Sequence, residues 1–217
     1  LGAPADHHAV GVAHDDPRAH RDELVGEDHE AEAEERRNLE RDCRRNRVRD
    51  GLVYMQVTRG VARRDHAFPK PGTPPALVVT AKNVDPSKAE ANAAKGVKVI
   101  SVPDNRWERV DIKSISLLPN VLAKQVAREQ GAREAWFVAA DGSVTEGSSY
   151  NAWIVTSRNE VLTRKADHAI LKGITRTVLL DVLKAHDLKL VERPFTVAEA
   201  IAAREAFITS ASQTVMP

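Results

Sequence analysis

Asp111-Ile112-Lys113-Ser114-Ile115-Ser116-Leu117-Leu118-Pro119-Asn120-Val121-Leu122-Ala123-Lys124-Gln125 sets a lysine in a short stretch directly before a helical pattern. Leu118, Val121, Leu122 and Val126 recur on one helical face, and Gly131 stands just past the end, so a helix is predicted over residues 117–130. Outward from it, residues 97–102 read as a short strand on one side and residues 135–138 as another. Further strands are predicted at 152–155, 160–162, 188–191 and 206–209. A second amphipathic helix, with Val178, Leu179, Val182 and Leu183 apolar, spans 174–185, and a short one lies near 197–202. Toward the N-terminus, residues 51–60 read as a strand bounded by glycines and residues 75–81 as its partner, with a loop rich in Arg, Asp, His and Pro between them. Short strands mixed with separated helices imply an α/β or mixed α+β domain of the kind enzymes use.

Composition narrows the class without naming a function. The chain has 217 residues, 42% of them hydrophobic, enough for one large or two small globular domains. A net charge of +1 argues against nucleic acid as a partner. Cys43 is the single cysteine, so no disulfide forms within the chain, which fits a cytoplasmic protein. No apolar run is long enough to span a bilayer.

The composition changes along the chain. No aromatic residue precedes Tyr54, no lysine precedes Lys70 and no isoleucine precedes Ile100. Residues 1–43 are crowded with Ala, His, Asp, Glu and Arg and lack a sustained apolar period, so they are expected to pack poorly. Within them, residues 30–45 suit a charged, exposed helix supported by pairs such as Glu32–Arg36. His7, His8, His14, His20 and His29 are irregularly spaced and no metal site is read from them.

Four stretches carry chemistry in order. They are Asp111-Ile112-Lys113-Ser114, Thr145-Glu146-Gly147-Ser148-Ser149-Tyr150-Asn151, Ile170-Leu171-Lys172-Gly173-Ile174-Thr175-Arg176 and Phe207-Ile208-Thr209-Ser210. Read singly, each has a plain alternative. Lys113 is then a solvated lysine, Glu146 a turn residue and Thr175 an ordinary helix cap. Together, and from about residue 44 onward, they resemble the class IV (fold type IV) pyridoxal-phosphate aminotransferases, and within that family the enzymes acting on D-amino acids.

The resemblance implies pyridoxal 5'-phosphate as cofactor, with Lys113 forming the Schiff base and later moving the proton. It sets Glu146 against the pyridine nitrogen. It assigns the phosphate to the amides of Ile174 and Thr175 at a helix start, with Ser210 completing the cup. Ala211 stands where the D-amino-acid enzymes carry a hydroxyl. Arg64 and His66, in the loop after Thr58-Arg59-Gly60, match the pair that holds the substrate carboxylate, Arg offering a planar fork; the plain alternative is a basic surface loop. Lys124 reads as a helix-surface charge. The implied reaction transfers the amino group of a D-amino acid such as D-alanine to 2-oxoglutarate in a cytoplasmic homodimer. Branched-chain L-amino-acid aminotransferase and aminodeoxychorismate lyase share the lysine and glutamate motifs and stay open, as does an inactive fragment or mis-translated product. The implied organisation is a non-family segment over 1–43, a remnant of the small domain over 44–87, and a larger cofactor-binding domain over 88–217 that ends early.

Overall fold

The computed structural model describes residues 28–217, with side chains from residue 36 onward. Readings made on His7, His8, His14 and His20 therefore lie outside the described residues, and those on the side chains of His29 and Glu32 outside the described side chains. The chain forms two compact units, the first ending at Val84 and the second running Asp85–Pro217.

The first unit holds α1 (Asp28–Arg45) and a hairpin of β1 (Gly51–Thr58) and β2 (Ala76–Asn83). The helix is charged along its length and carries an exposed Arg36–Glu40 pair at 3.5 Å. The hairpin is antiparallel from Gly51↔Asn83 to Thr58↔Ala76 and is a two-stranded sheet. Val53, Tyr54, Met55, Val57, Leu77 and Val78 stay exposed on it, because two strands alone cannot cover both faces. Gly60, two residues past β1, has φ +90°, and a Cβ there would meet the Pro74 carbonyl oxygen at 2.0 Å, so only glycine fits the start of this loop.

The second unit opens with α2 (Pro86–Lys95), which follows a proline start and an Asp85 cap accepting from the Ser87 amide at 3.1 Å. Next come β3 (Val99–Pro103), α3 (Leu118–Glu129) and β4 (Glu134–Val138), with β3 and β4 parallel. Strand β5 (Val144–Gly147) pairs antiparallel with β4 and completes a three-stranded sheet. The remaining elements are β6 (Asn151–Val155), β7 (Val161–Thr163), α4 (Ile174–Ala185), β8 (Leu190–Glu192), α5 (Val197–Ala202), β9 (Glu205–Ser210) and β10 (Thr214–Met216). Their strands form a five-stranded sheet in the order β10-β9-β6-β7-β8.

Trp136, Val144, Tyr150, Ile154, Leu162, Phe195 and Ile208 make the main core of this unit. Two predicted faces behave differently from the usual amphipathic expectation. Leu118, Val121, Leu122 and Val126 on α3 are exposed, while Ala123 and Ala127 on its other side pack on Ala135 and Phe137. Small residues let the helix lie close to β4, which leaves the larger apolar row outward. Likewise α4 buries Arg176 and Leu183, whereas Val178 and Val182 stay open. Among the described residues no helix is long and apolar enough to cross a membrane.

Candidate active site

Glu146 lies in β5, a strand whose four residues are all buried. Its carboxylate meets three partners. Oε1 accepts from Arg106 Nη1 at 2.6 Å, and Oε2 accepts from Asn151 Nδ2 and from the Leu171 amide, both at 3.1 Å. Burial pushes the Glu146 carboxyl up to about 7, against the pull of Arg106.

Arg106 is the hub of this cluster, with only 2% of its side chain exposed. It forks onto Asp104 through Nε at 2.9 Å and Nη2 at 2.8 Å, and it donates to the Ala169 carbonyl at 3.1 Å. Its guanidinium stacks over the Phe137 ring at 4.3 Å. Thr145 Oγ1 donates to Asp104 Oδ2 at 2.7 Å and accepts from Arg106 at 3.1 Å. Burial works against the ionised Asp104, but the Arg106 fork and the Thr145 hydroxyl outweigh it and hold the carboxyl below its ordinary value. Two carboxylates thus share one guanidinium, and with both ionised the cluster is one positive charge short.

Asn151 begins β6 and joins this cluster to the next motif. Its Nδ2 also donates to the Leu171 carbonyl at 2.9 Å. Its Oδ1 lies 2.5 Å from where a Cβ on Gly173 would stand, so Gly173 permits a contact that any side chain would displace. Gly173 is the N-cap of α4 and no side chain caps that end. Thr175 is therefore inside the first turn and not the cap, and the Ile174 and Thr175 amides lead a helix start suited to an anion. Ser210 closes β9, one residue beyond Thr209, which pairs with Asn151 across the sheet. The Ser210 hydroxyl contacts Ser212 Oγ at 3.3 Å and accepts from the Gln213 amide at 3.2 Å.

Lys113 stands in an exposed turn between β3 and α3. The turn closes through Ile112 N to Arg109 O at 3.1 Å and is tied down by Val110 N to His168 O at 2.9 Å. Asp111 is gripped by Arg109 at 2.9 and 2.8 Å, which holds its carboxyl at about 2. Lys124 departs from a simple surface charge: its Nζ sits 2.9 Å from the fully buried Glu134. Glu134 also binds the Ala135 amide at 2.8 Å, the Ser148 amide at 3.1 Å and the Ser148 hydroxyl, which fixes the loop that leaves Glu146.

Arg64 and His66 belong to the first unit, where both are exposed on the loop between β1 and β2. The His66 amide donates to Asp65 Oδ1 at 2.6 Å, and Arg59 lies over the Phe68 ring at 3.7 Å. Sequence reasoning missed Asp104, Arg106 and Asn151 as members of the site. Asn151 stood inside a quoted motif without a role. The spacing Asp104-x-Arg106 just after a strand was the available signal for the other two.

The chain matches known proteins over most of its length. Residues 27–217 match the model of the amino-transferase class IV family, so the match includes α1. A D-alanine aminotransferase from Staphylococcus aureus (strain MSSA476) is 39% identical over 172 residues, which is 79% of this chain and 60% of that protein. One from Bacillus licheniformis is 41% identical over 172 residues, 79% of this chain and 59% of that protein. The chain therefore spans about 60% of the length of these curated relatives. Among solved structures, the PLP-bound form of a hypothetical aminotransferase from Mycobacterium tuberculosis superposes with a TM-score of 0.61 at 23% identity. It matches 68% of this chain and 55% of its own.

Proposed function

The chain belongs to the amino-transferase class IV family, and we propose that it acts in pyridoxal-phosphate-dependent transamination, moving the amino group of a D-amino acid such as D-alanine to 2-oxoglutarate. The buried Glu146 cluster carries this reading. A carboxylate oxygen accepts about two hydrogen bonds. Among the described residues Oε1 accepts from Arg106 alone, so one direction is left for a further donor. A protonated pyridine nitrogen is such a donor, and its charge matches the deficit left by Asp104 and Glu146 around one arginine. The uncapped start of α4, joined to Glu146 through Asn151 and Gly173, suits a phosphate. The residues present thus fit pyridoxal phosphate, which when bound supplies an aldehyde carbon and a ring that accepts electrons.

Each residue then has a task. Glu146 keeps a proton on the ring nitrogen, and Arg106 and Asn151 hold Glu146 in place. The Ile174 and Thr175 amides, the Thr175 hydroxyl and Ser210 take the phosphate. Lys113 would hold the cofactor through its amine and would move the proton at the substrate α-carbon. Arg64 and His66 take the substrate carboxylate, Arg64 through its fork. The chain works as a homodimer, which provides the enclosure that the exposed Lys113 requires.

The D-alanine aminotransferase relatives, at 39–41% identity, support the choice of substrate. Turnover of D-alanine against L-alanine and L-leucine, with 2-oxoglutarate as acceptor, tests it. Pyruvate from D-alanine alone is the expected result. Turnover of L-leucine alone would assign the chain to the branched-chain class instead.

A further inference from the structure

One short strap, from His168 to the start of α4, touches the Lys113 turn and the Glu146 cluster. The His168 carbonyl accepts from the Val110 amide at 2.9 Å, in the turn that carries Lys113. The Ala169 carbonyl accepts from Arg106 at 3.1 Å. The Leu171 amide binds Glu146 and its carbonyl binds Asn151. Gly173 then opens α4. The strap's first side chain reaches back to the same turn, with His168 Nδ1 3.4 Å from Asp111 Oδ1. Asp111 is only two residues from Lys113.

We propose that His168 is a positioning residue: its imidazole, paired with Asp111, fixes the Lys113 turn relative to the Glu146 cluster. The role in catalysis rests on the cofactor reading above; the contact itself does not. Asp111 carries the charge that the imidazole meets, its carboxyl held at about 2. The other charged groups nearby are accounted for. Arg109 forks onto Asp111, and Asp167 pairs with Arg164 at 3.1 Å. His168, Glu108, Asp104 and Arg106 line one cavity of about 390 Å³, where Asp104 and Arg106 pair with each other. Asp111 is thus the carboxylate that His168 meets directly. The imidazole is 74% exposed, and the bond from the Val110 amide to the His168 carbonyl does not involve it.

Amide hydrogen-exchange protection at Val110 and Ile112, measured on the cofactor-free chain at pH 5.5, reads the tether directly. Wild type should be more protected than His168→Ala by about two- to five-fold, the range for an exposed ion pair. His168→Lys, which keeps a cation beside Asp111, should hold wild-type protection. Equal protection in wild type and His168→Ala overturns the proposal. The pH midpoint of the visible band of the cofactor-loaded protein should shift in His168→Ala, and an unmoved midpoint would remove His168 from positioning Lys113. Wild-type protection of the expected form with no visible band on loading would uphold the tether and overturn the cofactor reading.

Discussion

Replacing Glu146 with Gln should change how the stability of the cofactor-free chain depends on pH. The Glu146 carboxyl moves from its ordinary 4.5 to about 7 on folding, driven by burial. Between those values the folded chain holds a proton that the unfolded chain has released. Stability therefore falls as pH rises through this window, and the full effect is present above it. At about 1.36 kcal/mol per unit, the contribution is on the order of 3 kcal/mol. Carboxylates held below their ordinary values, such as Asp104 and Asp111, act in the opposite sense, and only below about pH 4. Urea unfolding at pH 5 and pH 8 is the assay. The difference between wild type and Glu146→Gln removes the other groups, the histidines included. Wild type should lose stability relative to the variant by up to about 3 kcal/mol between these pH values. Equal slopes in the two proteins would refute the claim that Glu146 is buried without enough positive charge. Saturating pyridoxal phosphate should flatten the wild-type slope, because a protonated ring nitrogen supplies the missing charge.

The remaining expectations concern substrate and phosphate. Arg64→Ala should raise the Michaelis constant for D-alanine about tenfold to a hundredfold, the cost of a charged hydrogen-bonded pair of ~1.5–3 kcal/mol; steady-state kinetics with an unaltered constant would exclude Arg64 from carboxylate binding. Gly173→Ala places a Cβ 2.5 Å from Asn151 Oδ1, so α4 or Asn151 must shift. Cofactor affinity, read by fluorescence titration, should fall at least tenfold, and an unchanged affinity would separate the start of α4 from the phosphate.

Much of the fold was legible because local patterns agreed with it. Helix α4 runs Ile174–Ala185, as its apolar period predicts, and α5 is set by a capping box of Thr196 and Glu199. Strand β5 was not read as a strand because Val144-Thr145-Glu146-Gly147 is buried throughout and shows no alternation. Helix α2 has no buried residue, so only Asp85 and Pro86 announced it. Burial on α3 went to the alanines, because strand spacing in the sheet beneath rewards close approach over side-chain size. The Gly173-Ile174-Thr175 motif falls at the helix start read for it, whereas Glu146, quoted without an element, lies in β5. What they lacked was Arg106, which lies 40 positions from Glu146 and is brought to it by the parallel pairing of β3 with β4. The local Asp104-x-Arg106 spacing marks the pair but not its contact with Glu146.

The central claim is that Lys113 is the amine that holds the cofactor. Borohydride reduction of the chain loaded with pyridoxal phosphate, followed by peptide mapping, tests it most directly. The account predicts a stable pyridoxyl label on Lys113 and its loss in Lys113→Ala. Label on Lys124, which the structure ties to Glu134, or on no lysine at all, would contradict it.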